Sequence, residues 1–232
     1  MTTAAETTQS PPTPAEVPEP LIYSVGRIFA RPWADKWFDL KSYGVRNVPR
    51  RGGVLIVSNH QSYLDPILLA VKLPRPLSFF AKSELFENKF FGAFIRSFNA
   101  FPVRQGEGDI GAVKETIRRL QEGHALNVYP EGTRSPDGEI QPMLPGVGLM
   151  IRRAGVPVVP AAIFGSYEAW PPKRGVKIFR PHPVRIVYGP PMELHHLKAG
   201  AIMEKLGGTI HAMFNELRQR ERARQRERHG RW

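Results

Sequence analysis

From Val54 onward, short apolar runs alternate with stretches of helical pattern, and this constrains the fold more than any other feature. The runs are Val54 to Ser58, Leu77 to Ala81, Ala100 to Val103, Ala125 to Val128, Val158 to Ile163, Val176 to Ile178 and Val184 to Val187. They are short and mostly apolar, as strands in a core are. Helical pattern falls near Pro66 to Val71, Phe86 to Phe98, Asp109 to Gln121 and Val147 to Arg153, with Asp109 as an N-cap and Gly123 as a helix stop. The alternation predicts an α/β domain with a mostly parallel central sheet covered by helices. A chain of 232 residues, 41% hydrophobic, suffices for one such domain.

The ends differ from the middle. Residues 1–20 hold five prolines and three glutamates with no Lys or Arg. That composition cannot bury enough apolar surface to offset ordering entropy, and it predicts a disordered, Pro-rich tail. In residues 21–43, Leu21, Ile22, Val25, Ile28 and Phe29 recur at helical spacing, Pro32 interrupts, and Trp33, Trp37 and Phe38 form a second apolar face. Two short amphipathic helices are expected there. They either pack on the protein's own core or lie in a membrane interface with Trp anchors and a basic edge. Residues 44–215 form the main domain. Its last helix carries a stripe of Leu206, Ile210, Phe214 and Leu217. Residues 216–232 hold seven Arg and three Glu and read as a polar helix or tail.

The formal net charge is +12. Such a balance favours anionic partners: nucleic acid, an acidic membrane surface, or phosphorylated and CoA-like ligands. The chain has no cysteine, which excludes disulfides, thiolate metal sites and a Cys nucleophile. No apolar run is long enough to span a bilayer, and the N-terminus lacks the pattern of a signal peptide.

Two stretches carry chemistry. Asn59-His60-Gln61-Ser62-Tyr63-Leu64-Asp65 follows the first apolar run, and Tyr129-Pro130-Glu131-Gly132-Thr133-Arg134-Ser135 follows the fourth. The carboxyl ends of strands in open α/β sheets face the ligand crevice. An imidazole there can take a proton from a hydroxyl, and an acid nearby can hold its tautomer and stabilise the imidazolium. The H-x-x-x-x-D spacing is weak alone, because Asp65 before Pro66 also reads as a helix cap. Position adds weight. Lys82, Arg104 and Arg134 each follow a predicted strand, on the sheet edge expected for His60. Cations converging there suggest a phosphate site. Together these residues suggest His-activated acyl transfer to an anionic, hydroxyl-bearing acceptor.

Four ordered blocks strengthen the case: Asn59 to Asp65, Phe101-Pro102-Val103-Arg104, Tyr129 to Ser135, and Val156-Pro157-Val158-Val159-Pro160. In these the chain resembles the glycerolipid acyltransferases, specifically the 1-acylglycerol-3-phosphate acyltransferases, over roughly residues 45–190. The resemblance implies a glycerol-3-phosphate acyltransferase-like fold, with His60 as general base on the acceptor hydroxyl and Asp65 orienting it. Lys82, Arg104, Glu131, Gly132, Thr133 and Arg134 would form the acceptor-phosphate site. The acceptor would be a lysophospholipid, the donor acyl-CoA or acyl-carrier protein, and the product phosphatidate. No metal or further cofactor is implied. The expected location is the cytoplasmic face of a membrane, held by residues 21–43 and by basic charge.

The chain departs from the family pattern where the third block begins with Tyr129 instead of Phe. It also departs where Met143-Leu144-Pro145-Gly146 replaces a stretch that often carries a lysine. That leaves open another acceptor, such as glycerol 3-phosphate, and a non-catalytic polyanion-binding or membrane-scaffold role. Gly106 to Gly111 spells a dinucleotide-type G-x-G-x-x-G, but Glu107 and Asp109 would repel a pyrophosphate. His195-His196 lacks a clustered third ligand for a metal, and the Arg-rich end lacks the interleaved aromatics of a nucleic-acid binder.

Overall fold

Val54 to Ser58 is the most deeply buried strand, and both of its faces are covered. The computed structural model describes residues 17–103, 110–172 and 181–229. Its strands are β1 (Lys41–Tyr43), β2 (Val54–Ser58), β3 (Leu77–Lys82), β4 (Ala100–Val103), β5 (Ala125–Val128), β6 (Val158–Phe164) and β7 (Arg185–Tyr188). They form one seven-stranded sheet in the order β1-β7-β6-β2-β5-β3-β4. The helices are α1 (Leu21–Phe38), α2 (Asp65–Ala70), α3 (Lys89–Ser97), α4 (Ile110–Gln121), α5 (Gly146–Ala154), α6 (Ser166–Ala169) and α7 (Ala199–His229).

Alternation along β2 sorts the layers. Val54 and Ile56 join a cluster with Ala34 and Phe38 of α1 and Leu68 and Leu69 of α2. Leu55 and Val57 join the opposite cluster with Leu120 of α4, Ile151 of α5 and Ile202, Leu206, Ile210, Phe214 and Leu217 of α7. The strand is apolar at four consecutive positions because helices cover both faces of the sheet. At roughly 1.5–3 kcal/mol for each fully buried large aliphatic side chain, these two clusters supply the main drive to fold.

The sheet is mostly parallel, as expected: β2, β3, β4, β5 and β6 share one direction. The exception is β7, which pairs antiparallel with β6 and parallel with β1, so β1 and β7 at one edge of the sheet run backwards. Strand β1 has no apolar run to announce it. It is a three-residue edge strand with no fully buried residue.

At the N-terminus the two expected short helices are one. Helix α1 runs through Pro32, which lacks the amide hydrogen for the usual bond one turn back. Packing offsets the loss, because Ala34 and Phe38 beyond the proline are fully buried and Trp33 sits edge-on to Phe38. The expected helix over 86–98 is shorter at its start. A 3-10 turn, Ser83–Phe86, precedes Asn88, whose side chain accepts the Phe91 amide and caps α3. Gly123 does end α4, with φ at 94°. The strand at Val176 to Ile178, the Asp109 cap, Gly106 to Asp109 of the glycine-rich stretch and most of the Pro-rich tail lie outside the described residues.

Candidate active site

Strands β2 and β5 are parallel neighbours, with Val57 beside Val128, so the segments that follow them emerge together. They are stitched by backbone. The His60 amide donates to Glu131 Oε1 (2.8 Å), and the Ser135 amide donates to the His60 carbonyl (2.7 Å). The second Glu131 oxygen accepts the Gln141 amide (2.9 Å). Asn59 ties the loop to β6 on the other side. Its Nδ2 donates to the Ile163 carbonyl (2.9 Å), and its Oδ1 accepts the Ile163 amide (2.8 Å). Gln61 Nε2 donates to the Gly138 carbonyl, and Ser62 Oγ donates to the Trp170 carbonyl (2.9 Å).

His60 Nδ1 lies 2.8 Å from Asp65 Oδ2. Asp65 is fully buried, whereas 16% of the His60 side chain reaches solvent. Asp65 does not cap α2, as its place before Pro66 suggested, because the helix already includes it. Its Oδ2 turns back instead and accepts the amides of Gln61 (2.6 Å) and Ser62 (2.8 Å). Those two N–H groups stabilise the carboxylate and set its direction. With Nδ1 donating to that carboxylate, the lone pair of the neutral imidazole lies on Nε2. Tyr129 stacks on the ring, with centroids 3.8 Å apart and planes 12° from parallel.

The cations fall at different distances from this pair. The Arg134 guanidinium lies 3.4 Å above the ring of Tyr63, which belongs to the His60–Asp65 loop. Its Nη1 is buried with no hydrogen-bond partner among the described residues. Lys82 is exposed at the end of β3, two strands from β2 in the sheet, or roughly 10 Å at ordinary strand spacing. Arg104 lies outside the described residues. Thr133 and Gly132 are exposed beside Arg134. Gly132 has φ at 69°, a left-handed turn in which any Cβ would meet Leu144 at 2.7 Å.

Glu131 is a clamp between loops rather than a cation partner, since its two oxygens hold amides of two different segments. Burial pushes its carboxyl up to about 7, outweighing the Gln141 and His60 amides that favour the charged form. Burial likewise holds the Tyr129 phenol well above its ordinary value, with a smaller push from Asp65. Reading the sequence picked out His60, Asp65 and Arg134 but assigned no role to Asn59, Tyr63 or Tyr129. A signal for Tyr129 was available: it directly follows the strand beside β2, level with the loop that begins after Ser58.

Comparison with known proteins identifies the family. A model of the acyltransferase family matches residues 39–164. A 1-acyl-sn-glycerol-3-phosphate acyltransferase of Bacillus subtilis is 31% identical over 188 residues, 78% of this chain and 90% of that enzyme. A chloroplastic 1-acyl-sn-glycerol-3-phosphate acyltransferase of Brassica napus is 29% identical over 131 residues, covering 55% of this chain and 38% of its own length. The crystal structure of the 1-acyl-sn-glycerophosphate acyltransferase of Thermotoga maritima superposes with a TM-score of 0.72 at 26% identity, covering 84% of this chain and 80% of that one. The family model spans more than half of the chain and the Bacillus subtilis enzyme is covered over most of its length, so the chain belongs to the acyltransferase family.

Proposed function

We propose that this O-acyltransferase moves a fatty acyl group from a thioester to the free hydroxyl of a 1-acylglycerol 3-phosphate, giving phosphatidate. The observation that carries the reading is the bond from His60 Nδ1 to the buried Asp65, which leaves Nε2 as the base on a side chain that is partly exposed. Nε2 takes the hydroxyl proton as the oxygen attacks the thioester carbonyl. The tetrahedral intermediate collapses, the C–S bond breaks, and the imidazolium returns its proton to the leaving thiolate. Asp65 stabilises the transient imidazolium. A positioned base of this kind contributes about 10²–10⁴-fold.

Arg134 serves as an acceptor-phosphate ligand, because its guanidinium rests on Tyr63 of the His60–Asp65 loop and its buried Nη1 has no hydrogen-bond partner among the described residues. Lys82 and Arg104 extend the cationic side of the site, and Thr133 with Gly132 line its turn. Glu131 holds the two loops at the right separation. The donor is acyl-CoA or acyl-carrier protein, and no other cofactor takes part.

The acceptor is a membrane lipid, and the surface suits a bilayer. Helix α1 exposes Leu21, Ile28 and Phe29, and α3 exposes Phe90 to 91% and Phe94 to 55%. The two helices meet where Phe98, just past α3, packs on Tyr23 of α1. Among the described residues no helix is long and apolar enough to cross a membrane. In this reading the protein sits on the cytoplasmic face of the bilayer, held by these two helices and its basic charge.

An acceptor panel tests the substrate. Turnover with lysophosphatidate should exceed that with lysophosphatidylcholine, and Arg134→Ala should raise KM for lysophosphatidate most. Equal use of both acceptors, with Arg134→Ala silent, contradicts the assignment.

A further inference from the structure

The stack between His60 and Tyr129 has an energetic consequence for the transfer step. The Tyr129 ring is anchored at the end of β5 and the imidazole at the end of β2, so neighbouring strands set their separation. The Tyr129 hydroxyl is buried and has no hydrogen-bond partner among the described residues. What the side chain offers His60 is therefore its π face. Two neutral rings gain least when stacked face to face, because their quadrupoles oppose. A cation over the same face is attracted. The contact thus favours imidazolium over imidazole, and a contact that strengthens as charge develops speeds a reaction.

We propose that Tyr129 is a positioning residue for acyl transfer: its ring face fixes the plane of His60 and favours the imidazolium formed when the acceptor hydroxyl gives up its proton. The inference rests on His60 being the base. The Asp65 bond leaves the ring free to rotate about the line through Nδ1, and the stack removes that freedom, so Nε2 keeps one heading. The surrounding charges do not duplicate the effect. Asp65 acts on Nδ1, Glu131 holds the His60 backbone amide, and the Arg134 cation lies over Tyr63 instead. The hydroxyl is dispensable in this account, since it partners nothing.

The test replaces Tyr129 by phenylalanine and by mono-, di- and trifluorinated phenylalanines, which weaken the π face stepwise at nearly constant shape. Tyr129→Phe, which keeps the ring and loses only the hydroxyl, sets the reference kcat for the series. Fluorination should then lower kcat progressively, by a total between about twofold and thirtyfold, with KM for the acceptor unchanged. Tyr129→Leu should fall at least as low as the most fluorinated variant. A kcat that stays level through the series, or a decline that tracks the thermal midpoint instead of fluorine count, overturns the proposal. His60→Ala run alongside separates the two readings. An inactive His60→Ala with a level series removes only the stack, whereas an active His60→Ala removes the base assignment itself.

Discussion

Asn59 shows how a single side chain can hold the reactive loop. Both ends of its amide bond Ile163, so Asn59→Ala strands a buried N–H and a buried C=O on β6. That should cost about 2–5 kcal/mol of unfolding free energy, read by denaturant titration. A change below 0.5 kcal/mol, roughly the scale of a neutral surface substitution, would show that β6 does not depend on this amide. Glu131 gives a pH signature. Its carboxyl is raised to about 7 in the folded protein, above the usual carboxylate range of about 4 when unfolded. The folded state therefore holds the extra proton, and the associated stability is lost as pH rises from about 4 through about 7. Compared with Glu131→Gln at each pH, wild-type stability should decline across that window and level off above it. A flat profile over that window, with any rise confined below about pH 4, would mean that the amides of His60 and Gln141 outweigh burial. At this scale the pairing of His60 with Asp65 was legible from their place after a buried strand and from the block they belong to, since the spacing is weak alone. The backward turn of Asp65 was not, since a residue before proline looks the same in sequence whether it caps a helix or receives amides from the preceding loop.

Elements were legible where burial made them uniform. Strands β2, β5 and β6 are covered on both faces, and their mostly apolar runs reported it. The three-residue edge β1 has no such pattern. The reversed direction of β7 has no local signature at all, because strand direction is decided by connections and packing. Helix α1 was read as two because Pro32 ordinarily ends a helix, whereas core contacts on both sides of it hold one helix together. The outward faces of α1 and α3 make a joint prediction. Phe90→Ser with Phe94→Ser should weaken binding to vesicles of phosphatidylcholine and phosphatidylglycerol by at least tenfold, at roughly 0.8 kcal/mol per buried methylene lost from the lipid. Ile28→Ser with Phe29→Ser should do the same. Cosedimentation unchanged by either pair would reject the membrane-facing assignment.

Across the whole molecule, α7 closes one layer and reaches the other end of the chain through a buried ion pair. Arg185 of β7 donates to Glu221 of α7 (2.8 Å) and to Asp39 (2.8 Å), which directly follows α1. Both partners of the Arg185–Glu221 pair are nearly sealed, with side chains 4% and 3% exposed. Glu221→Ala should destabilise the fold by about 3 kcal/mol, because it strands part of a buried guanidinium. Arg185→Met combined with Glu221→Leu should recover most of the loss, and a double variant worse than Glu221→Ala would contradict that. Part of this scale was visible in advance: the stripe of Leu206, Ile210, Phe214 and Leu217 is the face that packs on the sheet. The pairing of Arg185 with Glu221 was not, because residues 36 apart carry no mutual pattern.

The account depends on Nε2 of His60 accepting the acceptor's proton in a site that joins a thioester to a lysophosphatidate hydroxyl. Single-turnover acyl transfer by His60→Ala, with lysophosphatidate in vesicles and acyl-CoA and acyl-carrier protein supplied separately, tests it most directly. Phosphatidate formation should fall by about 10²–10⁴-fold with whichever donor the wild type uses, while folding stays intact. Phosphatidate made at the wild-type rate without the imidazole would contradict it.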